Sequence, residues 1–199
     1  MNIKQIQDEQ VPKGKCICPW RIAPLLDNFL RSLIHNPRKL FGPYVQPGMT
    51  VLDIGCGGGF TSLGLARLLG NKGLVISADL QPQMLDIVQE RALKAGISSN
   101  IRTHLCEANR IGITDELDFV VALFMVHEVP DSKAFLKELF ALLKPGGQLF
   151  LAEPMIHVSR HDFERTVAEA QAIGFEVSKR PSVRIGRAVI LVKPVIEDW

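Results

Sequence analysis

The run VLDIGCGGGF, Val51 to Phe60, constrains the fold more than any other stretch of the chain. A short apolar segment leads to Asp53, and four glycines then fill five consecutive positions from Gly55 to Gly59. Glycine loses more backbone entropy on folding than other residues, so this run is typical of a tight turn that another group approaches closely. We therefore expect a buried strand that ends in a loop and continues as a helix.

The rest of the chain alternates apolar strand patterns with amphipathic helix patterns. Strands are predicted over residues 50–54, 73–78, 101–105, 117–126 and 148–153, and a closing antiparallel pair over 175–180 and 187–193. Helices are predicted over residues 61–70, 82–96, 131–144 and 160–174. Apolar strands separated by helices indicate a parallel sheet covered on both faces. The expected class is α/β: a Rossmann-like, doubly wound, mostly parallel seven-stranded sheet with a C-terminal antiparallel hairpin.

Ahead of this core, residues 1–47 are predicted to form an N-terminal extension, and residues 48–199 the core domain. Residues 19–37 have the apolar spacing of an amphipathic helix that Pro37 ends, and Pro47-Gly48 is a turn signal. This helix either closes the ligand cleft as a lid or packs on the core for stability. The candidate lining residues of a lid are Trp20, Arg21, Phe29, Phe41 and Tyr44.

Composition excludes several classes of function. The 23 basic and 21 acidic residues give a net charge of +2, too balanced for a nucleic-acid or anionic-membrane surface. No apolar run is long enough to span a membrane, and the polar start of the chain does not resemble a secretory signal. The four cysteines suggest reduced thiols in the cytoplasm rather than a disulfide framework. A small molecule is the expected partner, and the oligomeric state is left open.

Two ligand classes compete for the glycine loop. A nicotinamide dinucleotide favours G-x-G-x-x-G, but Phe60 stands at the third glycine position, and the observed pattern is D-x-G-x-G-x-G. Asp79 ends the second predicted strand, where an acid can accept hydrogen bonds from both ribose hydroxyls of any unphosphorylated adenosine ligand. The alternatives are a strained turn without a ligand, and an Asp79 that caps the following helix.

Five motifs follow one another over residues 49–155: VLDIGCGGGF, ISADLQPQML, CEAN, LDFVVALFMVHEVPD and LLKPGGQLFLAEP. In this order, and with the terminal strand pair, they resemble the class I S-adenosylmethionine-dependent methyltransferases, of the small-molecule branch that includes the ubiquinone and menaquinone enzymes. The resemblance implies S-adenosylmethionine as cofactor. It also implies transfer of its methyl group to a small-molecule acceptor by in-line displacement.

The resemblance implies a contact for each part of the cofactor. The loop residues near the methionine part would be Asp53, Gly55, Cys56 and Gly57. The ribose and adenine would be held by Asp79, Leu80, Glu107 and Ala108. The residues near the amino group and the transferring methyl would be Leu123 and Phe124. Glu107 departs from the family, in which aspartate is more common at this position.

Candidate general bases cluster after the fourth and fifth predicted strands: His127, Glu128, Glu153 and His157. His127 is the catalytic candidate because an imidazole suits proton transfer at neutral pH, although it could instead pack beside the next helix. No resident metal site is predicted. Two other functions stay open: a regulatory module that binds the cofactor without turnover, and a metalloid methyltransferase that uses Cys16 and Cys18. Incidental thiols are the alternative for those two cysteines.

Overall fold

The computed structural model describes residues 36–195, which are built on a seven-stranded sheet. The strands are β1 (Thr50–Ile54), β2 (Leu74–Asp79), β3 (Ile101–Leu105), β4 (Leu117–Leu123), β5 (Leu143–Pro154), β6 (Glu176–Lys179) and β7 (Gly186–Val192). Their order across the sheet is β3-β2-β1-β4-β5-β7-β6. The first five strands pair in parallel, and β7 runs antiparallel to both β5 and β6. The predicted fold class is confirmed.

The helices of the described region are α1 (Pro37–Phe41), α2 (Phe60–Leu69), α3 (Pro82–Lys94), α4 (Ser132–Leu142) and α5 (Arg160–Ile173). Local capping sets where they begin. The Asp131 carboxylate accepts a hydrogen bond from the Ala134 N–H, and the Ser159 hydroxyl accepts one from the Asp162 N–H. Within residues 36–195, no helix has the length and apolar character needed to cross a membrane.

The core lies on both faces of the sheet. Leu52 and Leu151 face a cluster that includes Phe163 of α5, whereas Val51 on the other face joins a cluster with Leu65 of α2. Burial on both faces explains why the strands read as continuous apolar runs rather than as alternating patterns. The carboxyl ends of β1, β2, β4 and β5 therefore meet at one edge, where the loops can form a site.

The predicted end of β4 and the predicted start of β5 are wrong. β5 begins at Leu143 rather than at residue 148, directly after α4 ends at Leu142. β4 ends at Leu123 rather than at residue 126, because Phe124 has a φ of 63° and the chain then forms a short 3₁₀ turn, Val126–Glu128. Pro37 is the first residue of α1, since proline at the first helical position needs no N–H partner, and Asn36 caps this helix. The rest of the predicted helix over 19–37 lies outside the described residues.

The segment that enters β1 packs on the core. The Phe41 ring is 1% exposed, with its centroid 5.0 Å from that of Phe150, and Tyr44 stacks on Phe119 at 6.1 Å. For Phe41 and Tyr44 these contacts favour packing on the core over lining a lid. The other predicted lid residues, Trp20, Arg21 and Phe29, lie outside the described residues. The domain boundary between residues 47 and 48 stays a prediction.

Candidate active site

The glycine loop follows β1 at the carboxyl edge of the sheet. Gly55, Gly57 and Gly59 have φ values of 69°, 53° and 84°, a region that other residues rarely adopt. The N–H groups of Gly55 and Cys56 both donate to the Ala78 carbonyl of β2, at 2.8 and 3.1 Å. The loop is therefore fixed by backbone hydrogen bonds and leads directly into α2.

The three glycines make room for different neighbours. A Cβ at Gly55 would lie 2.9 Å from Met125 Cγ, and one at Gly59 would lie 2.8 Å from Val88 Cγ2. A Cβ at Gly57 would have no atom within 4 Å. Gly55 and Gly59 therefore serve packing within the protein, whereas Gly57 borders open space that a ligand can enter.

This difference predicts that the alanine variants of Gly57 and Gly59 have different main defects. Gly57→Ala adds only the strain of a positive φ, about 1–2 kcal/mol, but places a methyl group in the open space. We expect cofactor affinity to fall by roughly tenfold or more with a modest loss of stability. Gly59→Ala also collides with Val88, so its melting temperature should fall further. Calorimetric titration and thermal unfolding check both variants; equal affinities for Gly57→Ala and wild type would contradict the assignment.

Asp79 joins the loop to the end of β2. Its carboxylate accepts the Gly57 N–H and the Gln81 N–H, both at 2.9 Å, and its side chain is 8% exposed. Burial raises the pKa of Asp79, while hydrogen bonds from the backbone N–H groups of Gln81, Gly57 and Leu80 act in the opposite direction. A carboxylate has about four acceptor sites on its two oxygens, so these backbone donors leave acceptor capacity for a ligand donor. The helix cap expected as an alternative falls on Gln81, not on Asp79.

Two more side chains hold the loop in place. The Ser62 hydroxyl donates to the Asp53 carboxylate at 2.5 Å, and Asp53 is 2% exposed. Arg91 Nη1 of α3 donates to the Gly58 carbonyl at 2.7 Å. Asp53 therefore ties α2 to β1, while contact of Asp53 with a cofactor stays a prediction. Sequence reasoning missed Arg91, because nothing local relates an arginine in α3 to the loop.

The residues predicted to contact adenine lie beyond β2 and β3. Leu80 is half-buried, Glu107 is exposed, and Ala108 lies in a tight turn closed by backbone hydrogen bonds between Glu107 and Arg110. Burial raises the pKa of the nearby Cys106 thiol to about 12. Burial also raises the pKa of Cys56, with contributions from Asp53 and Asp79. Both thiols therefore stay protonated at neutral pH and fill space as small apolar groups.

A histidine–carboxylate pair lies at the ends of β4 and β5. His127 Nδ1 is 2.6 Å from Glu153 Oε2, and the His127 backbone N–H donates to Glu153 Oε1 at 3.0 Å. The Glu153 side chain is 3% exposed, and that of His127 is 26% exposed. Because a carboxylate only accepts, it places the imidazole proton on Nδ1 and leaves Nε2 as the basic nitrogen.

The structure brings three of the four base candidates together. The His157 ring stacks on the His127 ring, with centroids 5.8 Å apart and planes 11° apart. Glu128 lies on the same 3₁₀ turn as His127 and is half-buried. Within residues 36–195, no group of three or more His, Cys, Asp or Glu side chains is placed to hold a metal ion. Cys16 and Cys18 lie outside the described residues.

Leu123 and Phe124 lie between the body of β4 and the turn that carries His127. Leu123 is the last residue of β4 and is 8% exposed, and the Phe124 N–H donates to the Ala152 carbonyl of β5 at 2.8 Å. A Cβ at Gly186 would lie 2.7 Å from Phe124 Cε1, so the aromatic ring covers that glycine. Sequence reasoning missed Gly186. The only local signal was a glycine between the two predicted C-terminal strands, a position where a side chain can approach the backbone closely.

Comparison with known proteins shows which kind of domain the chain contains. Residues 51–147, which include the glycine loop, Asp79 and His127, match the family described as a methyltransferase domain. The chain contains a methyltransferase domain that is similar to the class I S-adenosylmethionine-dependent enzymes. These comparisons indicate S-adenosylmethionine as the cofactor, as the sequence resemblance implied.

Two curated relatives and one solved structure illustrate the match. The chain is 34% identical over 133 residues to the ubiquinone/menaquinone biosynthesis C-methyltransferase UbiE of Cellvibrio japonicus, covering 65% of this chain and 53% of that protein. It is 35% identical over 105 residues to a ubiquinone biosynthesis O-methyltransferase of Xanthomonas axonopodis, covering 53% and 43%. The chain thus spans about half the length of these relatives. A SAM-dependent methyltransferase from Aquifex aeolicus superposes with a TM-score of 0.80 at 26% identity, covering 89% of this chain and 100% of that one.

Proposed function

We propose that this methyltransferase transfers the methyl group of S-adenosylmethionine to a small-molecule acceptor, with His127 as general base. The observation that carries the proposal is the His127–Glu153 pair, with Nδ1 and Oε2 2.6 Å apart; His127 lies on the turn after β4, and Glu153 lies near the end of β5. Met125, two residues before His127, packs over Gly55, so the segment that carries His127 contacts the glycine loop.

The residues present fit the cofactor. Gly57 borders open space, and Asp79 offers an almost buried carboxylate beside it at the tip of β2. When bound, S-adenosylmethionine supplies a methyl group on a sulfonium that the acceptor displaces in line. The protein's contribution is mainly to position the reactants and to exclude water. The individual contacts of Asp79, Leu80, Glu107, Ala108, Leu123 and Phe124 with the cofactor are part of this proposal.

The acceptor in this proposal carries a weakly acidic proton on a phenolic hydroxyl. Glu153 orients the imidazole and stabilises its protonated form, while Nε2 takes that proton as the acceptor attacks. Loss of the hydroxyl proton makes the oxygen or a conjugated ring carbon nucleophilic, and after attack through carbon the ring loses its own proton and regains aromaticity. The relatives include a C-methyltransferase and an O-methyltransferase at nearly equal identity, which fits both acceptor atoms.

Binding and turnover test this proposal together. We expect S-adenosylmethionine to bind with a Kd in the micromolar range, about −7 to −8 kcal/mol, and phenolic or hydroquinone acceptors to yield S-adenosylhomocysteine. Calorimetry with NAD is the control for the competing ligand class. Binding of NAD without binding of S-adenosylmethionine would overturn the cofactor assignment. Cofactor binding without turnover over a broad acceptor panel would favour the regulatory module instead, and turnover of arsenite alone the metalloid enzyme.

A further inference from the structure

A groove separates the start of α5 from the end of the sheet. Its volume is about 610 Å³, and its lining residues are Arg160, Phe163, Glu164, Arg180, Arg187 and Ala188. Three arginines on one wall are unusual, because like charges repel and charged side chains favour separate solvation. None of these arginines belongs to the cofactor site or to the candidate base.

Glu164, the one carboxylate among the described lining residues, pairs with one of the three arginines. Arg180 forms a two-pronged pair with Glu164, with Nη1–Oε1 and Nη2–Oε2 distances of 2.9 and 2.8 Å. Arg160 and Arg187 have no carboxylate partner among the described lining residues. The lining residues therefore carry a formal charge of about +2, which favours an anionic occupant, while Glu153, opposite Arg187 in the sheet, pairs with His127.

Arg187 is the best placed of these arginines to bind a ligand. Its side chain is half-buried, and its Nη1 donates to the Val158 carbonyl at 2.9 Å. A guanidinium has five N–H donors in a fixed plane, so this single anchor orients the group and leaves a fork for an oxyanion. Glu164 holds Arg180 beside it in the same groove.

The strand register relates one residue of the groove lining to the candidate base. Arg187 of β7 is directly opposite Glu153 of β5, and side chains opposite each other on neighbouring strands point to the same face. Glu153 holds His127. An anionic group bound by Arg187 would therefore anchor a molecule whose other end lies near the imidazole.

We infer that this groove binds an oxyanion, a carboxylate or phosphate group, carried by the methyl acceptor, and that Arg187 is its principal ligand. The acceptor part of this inference depends on the proposed function, whereas the anion site itself does not. A planar fork matches both oxyanions, so carboxylate and phosphate share the chemistry of recognition. Arg187 is then a specificity-determining residue for acidic acceptors.

The anion site is tested first without cofactor. Arginine Nε–H resonances are followed by NMR while inorganic phosphate or acetate is added at constant ionic strength. Saturable shifts of Arg160, Arg180 and Arg187 support the site, and tighter binding of one probe identifies the anion. Arg187→Gln should weaken binding by roughly 10-fold or more, the scale of a lost charged hydrogen bond. Arg102→Gln is the control, since Arg102 pairs with Asp115 beside β3, at the other edge of the sheet.

The acceptor assignment is tested next by kinetics on matched acceptors with and without a carboxylate or phosphate group. For Arg187→Gln we expect KM for the acidic acceptor to rise roughly 10-fold or more, with kcat within about twofold and the neutral acceptor unaffected. Equal effects on both acceptors would overturn the assignment. NMR titrations without saturable shifts, or with unchanged affinity in Arg187→Gln, would overturn the site itself. Failure of turnover with intact anion binding counts against the proposed function alone.

Discussion

His127→Ala is expected to lower kcat by roughly 10²- to 10⁴-fold, the usual contribution of a general base. The variant removes Nε2 but leaves the glycine loop and Asp79 in place, so the Kd for S-adenosylmethionine should stay within about twofold of wild type. Steady-state kinetics and calorimetric titration measure the two quantities. Loss of kcat without loss of cofactor affinity places the defect in the chemical step.

Chemical rescue separates a base from a structural histidine. Added imidazole should restore part of the turnover of His127→Ala, since it can accept the proton but cannot rebuild packing. His161→Ala is the matched control, because the His161 side chain is 87% exposed and lies at the start of α5. Near-wild-type kcat for His127→Ala, or a large fall in melting temperature without rescue, would show that His127 only packs beside the next segment.

Glu153 gives the same proposal a second test. Glu153→Gln retains the size of the side chain but weakens acceptance from Nδ1 and from the backbone N–H of His127. A neutral amide stabilises the protonated imidazole less than a carboxylate does. We therefore expect a fall in kcat that is smaller than that of His127→Ala. The effects of the double variant should be far from additive, since the two residues act as one unit.

The sequence predicted the fold well because its signals are local. Apolar strands, a helix-starting Pro82 and glycines with positive φ are each visible within a few residues. The end of β4 escaped prediction because residues 124–126 are apolar, while the backbone turns at Phe124. Apolar character predicts burial but not backbone angles, so the φ of 63° at Phe124 and the contact of its ring with Gly186 have no local sequence signal.

Sequence reasoning identified individual candidate site residues but not the contacts between them. The loop, Asp79 and the base candidates are contained in short motifs, but their partnerships cross the fold. Glu153 lies 26 residues from His127, and Arg91 lies 33 residues from Gly58, so only the strand register and helix docking bring them together. No feature of the sequence indicated that Arg187 lines a groove, since an arginine in a strand usually faces solvent.

Asp79→Ala is expected to weaken S-adenosylmethionine binding by roughly 1.5–3 kcal/mol, about 10- to 150-fold in Kd. Two losses combine in this variant: the acceptors proposed for the ribose hydroxyls and the hydrogen bond that fixes Gly57. Asp118→Ala is the matched control. The Asp118 carboxylate also accepts a backbone N–H, from Thr50 at 2.8 Å, but at the amino end of β1. It should therefore cost stability and leave cofactor affinity unchanged.

The pH dependence of unfolding distinguishes a ligand-binding role of Asp79 from a purely structural one. Burial raises the pKa of Asp79, so the folded protein binds this proton more tightly than the unfolded chain does. The stability that Asp79 contributes is then full below its unfolded pKa and is lost as the pH rises through the raised value. The difference in unfolding free energy between wild type and Asp79→Ala should thus shrink from acid to neutral pH. A large stability loss at neutral pH with unchanged cofactor affinity would make Asp79 a structural residue and contradict its proposed contact with the ribose.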